Sequence, residues 1–245
     1  MIRIRTAVFS VLLGLLAGAC GRTGSPEQIV WTDPEGDVQG VANLPDRPTP
    51  DLRKVAVSSD AAQLTVELEL KDLQKRLAYA GPDGRRYGAS LADLLIDADH
   101  DPATGGAPLT LWRGDQKPAR FGYEYRVAVL AGFRYQAADG GSGRSTGDVS
   151  IESAGKVKVE PIIMYQVWSL GAQRFGSRNV ELSEADKARM DTELAVLEGD
   201  RVRLKIPYAY LGAKPDAKIR IAYLDVQESA TRESSLSTDQ TLTLK

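Results

Sequence analysis

The sequence predicts an all-β fold: a two-sheet antiparallel β-sandwich with one short helix. Three observations lead there. Apolar and polar residues alternate with period two over many separate segments, the pattern of strands with one buried face. Short polar turns separate those segments, as hairpins between antiparallel strands require. No stretch carries a helical period long enough for a bundle, and no helices stand between the strands as parallel βαβ units would need.

The elements follow in order along the chain. Lys54 to Ser58 and Gln63 to Leu70 alternate cleanly, and Ser59, Asp60, Ala61 and Ala62 between them supply a hairpin turn. Leu91 to Asp97 is different, because Leu94, Leu95 and Ile96 are apolar in succession. A strand apolar on both faces belongs at the centre of a sheet, covered on both sides. Tyr123 to Leu130 alternates again. Ser183 can cap the open N–H groups of a short helix from Glu184 to about Met190, with Asp186 three residues on as an imperfect capping box. Leu194 to Glu198 and Arg201 to Ile206 flank Gly199 and Asp200, a second hairpin, and Lys218 to Leu224 is a further alternating strand.

The N-terminus has another character. Arg3 and Arg5 precede an apolar run from Ala7 to Leu16, and Ala17, Gly18 and Ala19 lead into Cys20, the only cysteine in the chain. A basic start, a short apolar run and small residues form a secretory signal, and the run of about ten residues is too short to span a bilayer, which takes about twenty. Leu16 to Cys20 resembles the lipobox of bacterial lipoproteins, with Ala17 where that motif favours a branched aliphatic residue. The resemblance implies that residues 1–19 are removed and that Cys20 becomes an acylated N-terminus. Several acyl chains on one residue anchor stably where one chain binds only marginally. Gly21 follows the cysteine in place of the aspartate that resembles an inner-membrane retention signal, so a cell-envelope location at the outer membrane is expected in an organism that has one. Residues 20–28 read as the lipidated cysteine and a small polar tether, and 29–245 as one domain.

Composition bounds the partners. The chain has 31 basic and 33 acidic residues, a formal charge of −2, and loss of Arg3 and Arg5 with the signal takes it to −4. Nucleic acid needs a basic footprint, so no nucleic-acid partner is expected. With Cys20 carrying lipid there is no disulfide, and about 220 residues suffice for a domain to rest on its own core.

Two acidic loops carry the visible chemistry. The first holds Asp33, Glu35 and Asp37, with Asp51 further on; the second holds Asp97, Asp99 and Asp101 before Gly105 and Gly106. Carboxylates at alternating positions in a tight turn can converge on one point, and such oxygen-rich loops suit calcium. The second loop is not an EF-hand, since Pro102 and Pro108 stand where that motif needs glycine and glutamate. Aspartates also serve in turns by hydrogen bonding to the local backbone, and the residue types alone leave both readings open.

Residues 95–106, 122–127, 202–212 and 219–225 resemble successive strands of the DOMON-like sandwich superfamily, to which family 9 carbohydrate-binding modules belong. Trp31 to Asp37 and Pro50 to Leu52 are similar to the start of the related C-terminal module of glucodextranases. The resemblance implies a jelly-roll sandwich that binds sugar, haem or calcium, with a structural calcium site drawn from Asp33, Asp37, Asp51, Asp97, Asp99 and Asp101. Sugar binding asks for aromatic faces among polar groups, and the candidates are Trp112, Tyr123, Tyr125 and Trp168, with Tyr165 behind them. Haem is not expected, because the single histidine, His100, sits inside the acidic turn. Catalysis is not expected either: Cys20 is committed to lipid, no nucleophile motif accompanies His100, and clustered carboxylates favour a cation. Two expectations remain, a lipid-anchored module binding carbohydrate or a related ligand, and an accessory envelope lipoprotein that docks a protein through a sheet face or edge. An exposed Trp112 favours the first, and a buried one the second.

Overall fold

The computed structural model describes residues 28–33, 36, 46–101, 104–105, 109–110, 116–117, 122–146, 149–150, 156–170, 177–225 and 237–245. Its principal strands are β1 (Gln28–Thr32), β2 (Asp51–Ser59), β3 (Gln63–Lys71), β4 (Ala89–Asp97), β5 (Tyr125–Ala137) and β6 (Ser142–Ser145). The later ones are β7 (Lys156–Leu170), β8 (Ser177–Asn179), β9 (Ala195–Glu198), β10 (Arg201–Pro207), β11 (Lys218–Asp225) and β12 (Gln240–Thr243). They form two antiparallel sheets. The first runs β1-β2-β3-β10-β9; the second runs β8-β7-β5-β4-β11-β12, with β6 added to the far end of β5. The fold is the all-β sandwich that the alternation predicts.

The core lies between the sheets. Val55, Val57, Leu64, Val66, Leu68, Val202, Leu204 and Ile206 from the first sheet face Leu94, Ile96, Val127, Val129, Ile163, Val167, Ile219 and Ile221 from the second. Every second residue points there because successive side chains in a strand project to opposite faces. The Ser59–Ala62 and Gly199–Asp200 turns are the hairpins expected, and Gly199 takes φ +63°, a left-handed conformation that glycine adopts without strain.

β4 is central, between β5 and β11. Its two-sided apolar run divides between two environments. Leu94 and Ile96 enter the main core, while Leu95 joins Tyr123 and Ala222 in a second buried cluster on the outer face of the same sheet.

The capped helix is present as α2 (Glu184–Arg189). The Ser183 hydroxyl oxygen accepts the Asp186 N–H at 3.1 Å, and a five-residue π-helical turn follows, with Met190 and Leu194 buried. A one-and-a-half-turn segment, α1 (Leu73–Ala78), also forms after β3. It inserts Leu73 and Leu77 into the core, and the Arg76 guanidinium donates to the carbonyls of Pro48, Tyr87 and Gly88. Among the described residues no helix is long and apolar enough to cross a membrane.

A candidate metal centre on the outer face of the second sheet

Asp97 ends β4. It lies on the same face as Leu95, away from the main core, yet its side chain is fully buried. The chain then turns tightly. His100 takes φ +58°, and Asp99 Oδ1 accepts the Asp101 N–H at 2.9 Å, so Asp99 shapes the turn with its own carboxylate. The Thr104 N–H donates to the Asp101 carbonyl at 3.1 Å and closes the loop.

Glu124 comes from another part of the chain. Its backbone N–H donates to the Ile96 carbonyl, and its carbonyl accepts the Leu170 N–H, so the sheet pairing fixes it next to the end of β4. Its Oε2 accepts the Ala98 N–H at 2.8 Å. Gly105, with φ +64°, passes directly over this carboxylate, and a Cβ there would run into Glu124 Oε1 and the Tyr123 carbonyl. Only glycine satisfies both the backbone conformation and the close approach.

Asp97, Asp99 and Glu124 each present a carboxylate oxygen, and the three atoms lie within 4.8 Å of one another. Donors are scarce among them. The Thr104 hydroxyl lies 2.9 to 3.2 Å from oxygens of Asp99, Asp101 and Glu124, but it has one proton to give. Neither Asp97 oxygen receives a properly formed hydrogen bond. Among the described residues the ion-pair partner of Asp97 is Arg220, whose Nε is 3.7 Å from Asp97 Oδ2. Burial, and then the Glu124 carboxylate, push Asp97 up to about 6, with the His100 N–H and Arg220 offsetting only part. Asp99 moves the other way, held below the usual carboxylate range first by the Asp101 N–H, with Thr104 adding to it. A buried carboxylate with no well-formed hydrogen bond, aimed at two others, fits a bound cation, and the group is able to hold a metal ion.

The sequence candidates fall in different places. Asp97 and Asp99 belong to the group. Asp101 is exposed beside it, contributing its backbone to the turn. Asp33 and Asp51 are engaged elsewhere: the Asp33 N–H donates to the Arg53 carbonyl of β2 while its Oδ1 accepts the Tyr223 hydroxyl of β11 at 2.6 Å, and Asp51 Oδ2 accepts the Gly36 N–H at 3.1 Å and sits 3.2 Å from Arg53 Nε. Among the described residues the acidic group takes in neither Asp33, which follows β1, nor Asp51, which opens β2. Asp37, Trp112 and Cys20 lie outside the described residues.

The aromatic candidates also divide. Tyr123 is 2% exposed and has no free face for a ligand, its hydroxyl pushed up to about 12 by burial. Tyr165 spans the core and donates to the Lys205 carbonyl at 3.0 Å. Tyr125 packs against the core, with its hydroxyl 2.6 Å from where a Cβ on Gly212 would stand. Trp168 is partly exposed on the outer face and pairs with Arg126 across β7 and β5. The Arg126 guanidinium, Nη2 to Oδ2 at 2.8 Å, is held by Asp93, a nearly buried carboxylate on β4.

Glu124 and the Arg126–Asp93 pair are the residues that sequence reading misses. Glu124 stands between two tyrosines with nothing local to link it to Asp97; only the register of β4 against the segment entering β5 does so. Comparison with protein-family models, with curated proteins and with solved structures finds no match.

Proposed function

We propose that this protein is a lipid-anchored, non-catalytic binding module of the cell envelope, which holds carbohydrate or a related polar ligand on the outer face of its second sheet and carries structural calcium at Asp97, Asp99 and Glu124. The observation that carries the ligand reading is the row Trp168, Arg126 and Asp93. An indole supplies an apolar face for sugar C–H groups, and beside it a guanidinium fixed by a nearly buried carboxylate presents donors that are already oriented. Gln166 adds an amide on the same face, opposite Ala128. The DOMON-like resemblance of the strand sequence supports the same reading, and the lipobox-like residues around Cys20 support the anchor.

Calcium is the preferred ion because the donors are all oxygen. Ca2+ takes six to eight oxygen ligands in flexible geometry, whereas zinc prefers nitrogen or sulfur. The three carboxylates would supply the charge, with Thr104 and loop carbonyls as further oxygens. The ion would tie the end of β4 to the entry of β5 and so fix one border of the ligand face.

The test is calorimetric titration of the purified protein with an oligosaccharide panel in millimolar calcium. Binding by at least one oligosaccharide, lost in Trp168→Ala and in Arg126→Ala while the melting temperature is kept, supports the reading. Absence of binding by every sugar contradicts it and moves the assignment to the protein-docking lipoprotein.

A further inference from the structure

Arg220 stands directly opposite Asp97 in the β4–β11 pair. Its Nε is 3.7 Å from Asp97 Oδ2 and also 3.7 Å from Asp239 Oδ2. Both distances are ion-pair rather than hydrogen-bond lengths, so this nitrogen stands between two carboxylates and is shared by them. The two partners differ in setting. The Asp97 side chain is 0% exposed and lies in the acidic group; that of Asp239 is 39% exposed and enters β12, the strand paired with β11. Residue 239 lies diagonally across from Arg220 in that pairing, within reach of a long side chain.

From this geometry we infer that Arg220 is the counter-charge that competes with a cation for Asp97, and that Asp239 receives its guanidinium when the cation is bound. The inference rests on the cation reading of Asp97, Asp99 and Glu124. That reading has support beyond the clustering of acids, since Asp97 is fully buried, aimed into the group and lacks a properly formed hydrogen bond at either oxygen. Without the ion, Arg220 offsets part of the charge of Asp97. A divalent ion among the three carboxylates puts like charge beside the guanidinium in a poorly screened place, and the half-exposed Asp239 is the partner within reach. Arg220 thereby sets how tightly the site binds its ion. The movement also reaches the first sheet, because the Trp31 indole N–H donates to the carbonyl of Thr238, the neighbour of Asp239.

The test is calorimetric calcium titration of the purified protein and of Arg220→Gln, Arg220→Lys, Asp239→Asn and the Arg220→Gln/Asp239→Asn pair, with melting curves in chelator to verify folding. Arg220→Gln should bind calcium roughly 3- to 10-fold more tightly, and Arg220→Lys, which keeps the charge, within about 2-fold of the unmodified chain. Asp239→Asn should weaken binding about 3-fold, and that loss should vanish in the Arg220→Gln background. An equal loss in both backgrounds would mean that Asp239 acts by its own field, and overturns the exchange. Unchanged or weaker binding in a folded Arg220→Gln chain overturns the counter-charge role while leaving the cation site standing. No calcium binding by any of the folded chains overturns the cation reading, and the role of Arg220 with it.

Discussion

The carboxylates of Asp97 and Glu124 meet on the outer face of the second sheet because the Glu124 N–H donates to the carbonyl of Ile96, the residue before Asp97. Backbone pairing thus forces two acids together in a setting that gives one of them no adequate donor. The polypeptide keeps this unfavourable pair at the end of β4, and a cation is the simplest compensation.

Asp97→Asn should therefore stabilise the calcium-free protein. The amide keeps the shape of the carboxylate and removes a buried charge that lies beside two others. A gain of about 1 kcal/mol at pH 7 would raise the melting temperature by ~2–4 °C for a domain of this size. Melting curves in chelator check it; a loss of stability of the same size would mean that Asp97 is adequately compensated by Arg220 alone.

The membership of the site can be read by substitution. Glu124→Gln should weaken calcium binding at least 10-fold, whereas Asp101→Ala, which leaves the backbone of the turn intact, should change it less than about 3-fold. Titration with the luminescent calcium mimic terbium would rank the two, and the reverse order would return the site to the aspartate loop alone.

Gly105→Ala combines two faults. The residue has φ +64°, and its methyl group would meet Glu124 Oε1 and the Tyr123 carbonyl. A cost of roughly 1–3 kcal/mol is expected from strain of this kind, together with weaker calcium binding because Glu124 must move. Denaturant unfolding with and without calcium separates the two effects.

Asp186 offers a pH test outside the acidic group. The Tyr210 hydroxyl donates to its Oδ2, and that bond, with Ser183 and Arg189 adding to it, holds the carboxyl below its ordinary value. A folded-state value below the unfolded one gives stability that is present above the unfolded pKa and lost as pH falls through the folded pKa. Tyr210→Phe should accordingly destabilise the protein at pH 7 more than at pH 2.5, as followed by urea unfolding at the two pH values. An equal loss at both would assign the effect to packing.

The strands β2, β3, β5, β9, β10 and β11 and both hairpins were legible in the sequence because period two and turn residues are local signals, and β4 announced its central place by lacking alternation, whereas β1, β6, β7, β8 and β12 were not read as strands. The Asp97–Asp101 turn was legible for the same reason. Glu124 was not, since its meeting with Asp97 depends on which strands pair and in what register, which no local pattern records. Tyr123 was a candidate to stack on a sugar from within an alternating segment, but it is buried with Leu95 and Ala222 on an outer face that carries a small core of its own. Alternation assigns a side chain to a face without saying what lies over that face. Asp33 and Asp51 are the same residue type as the second loop's acids, but they find other partners, the Tyr223 hydroxyl and Arg53, and do not join its group.

Calcium bound at Asp97, Asp99 and Glu124 is the central claim, and thermal unfolding of the purified protein in chelator and in calcium tests it most directly. At free calcium a hundred times its dissociation constant, binding to the folded state alone adds about 2.7 kcal/mol, a rise of ~5–11 °C, and Asp97→Asn should show no rise. An unchanged melting temperature in the unmodified protein, or an equal rise in Asp97→Asn, would contradict it.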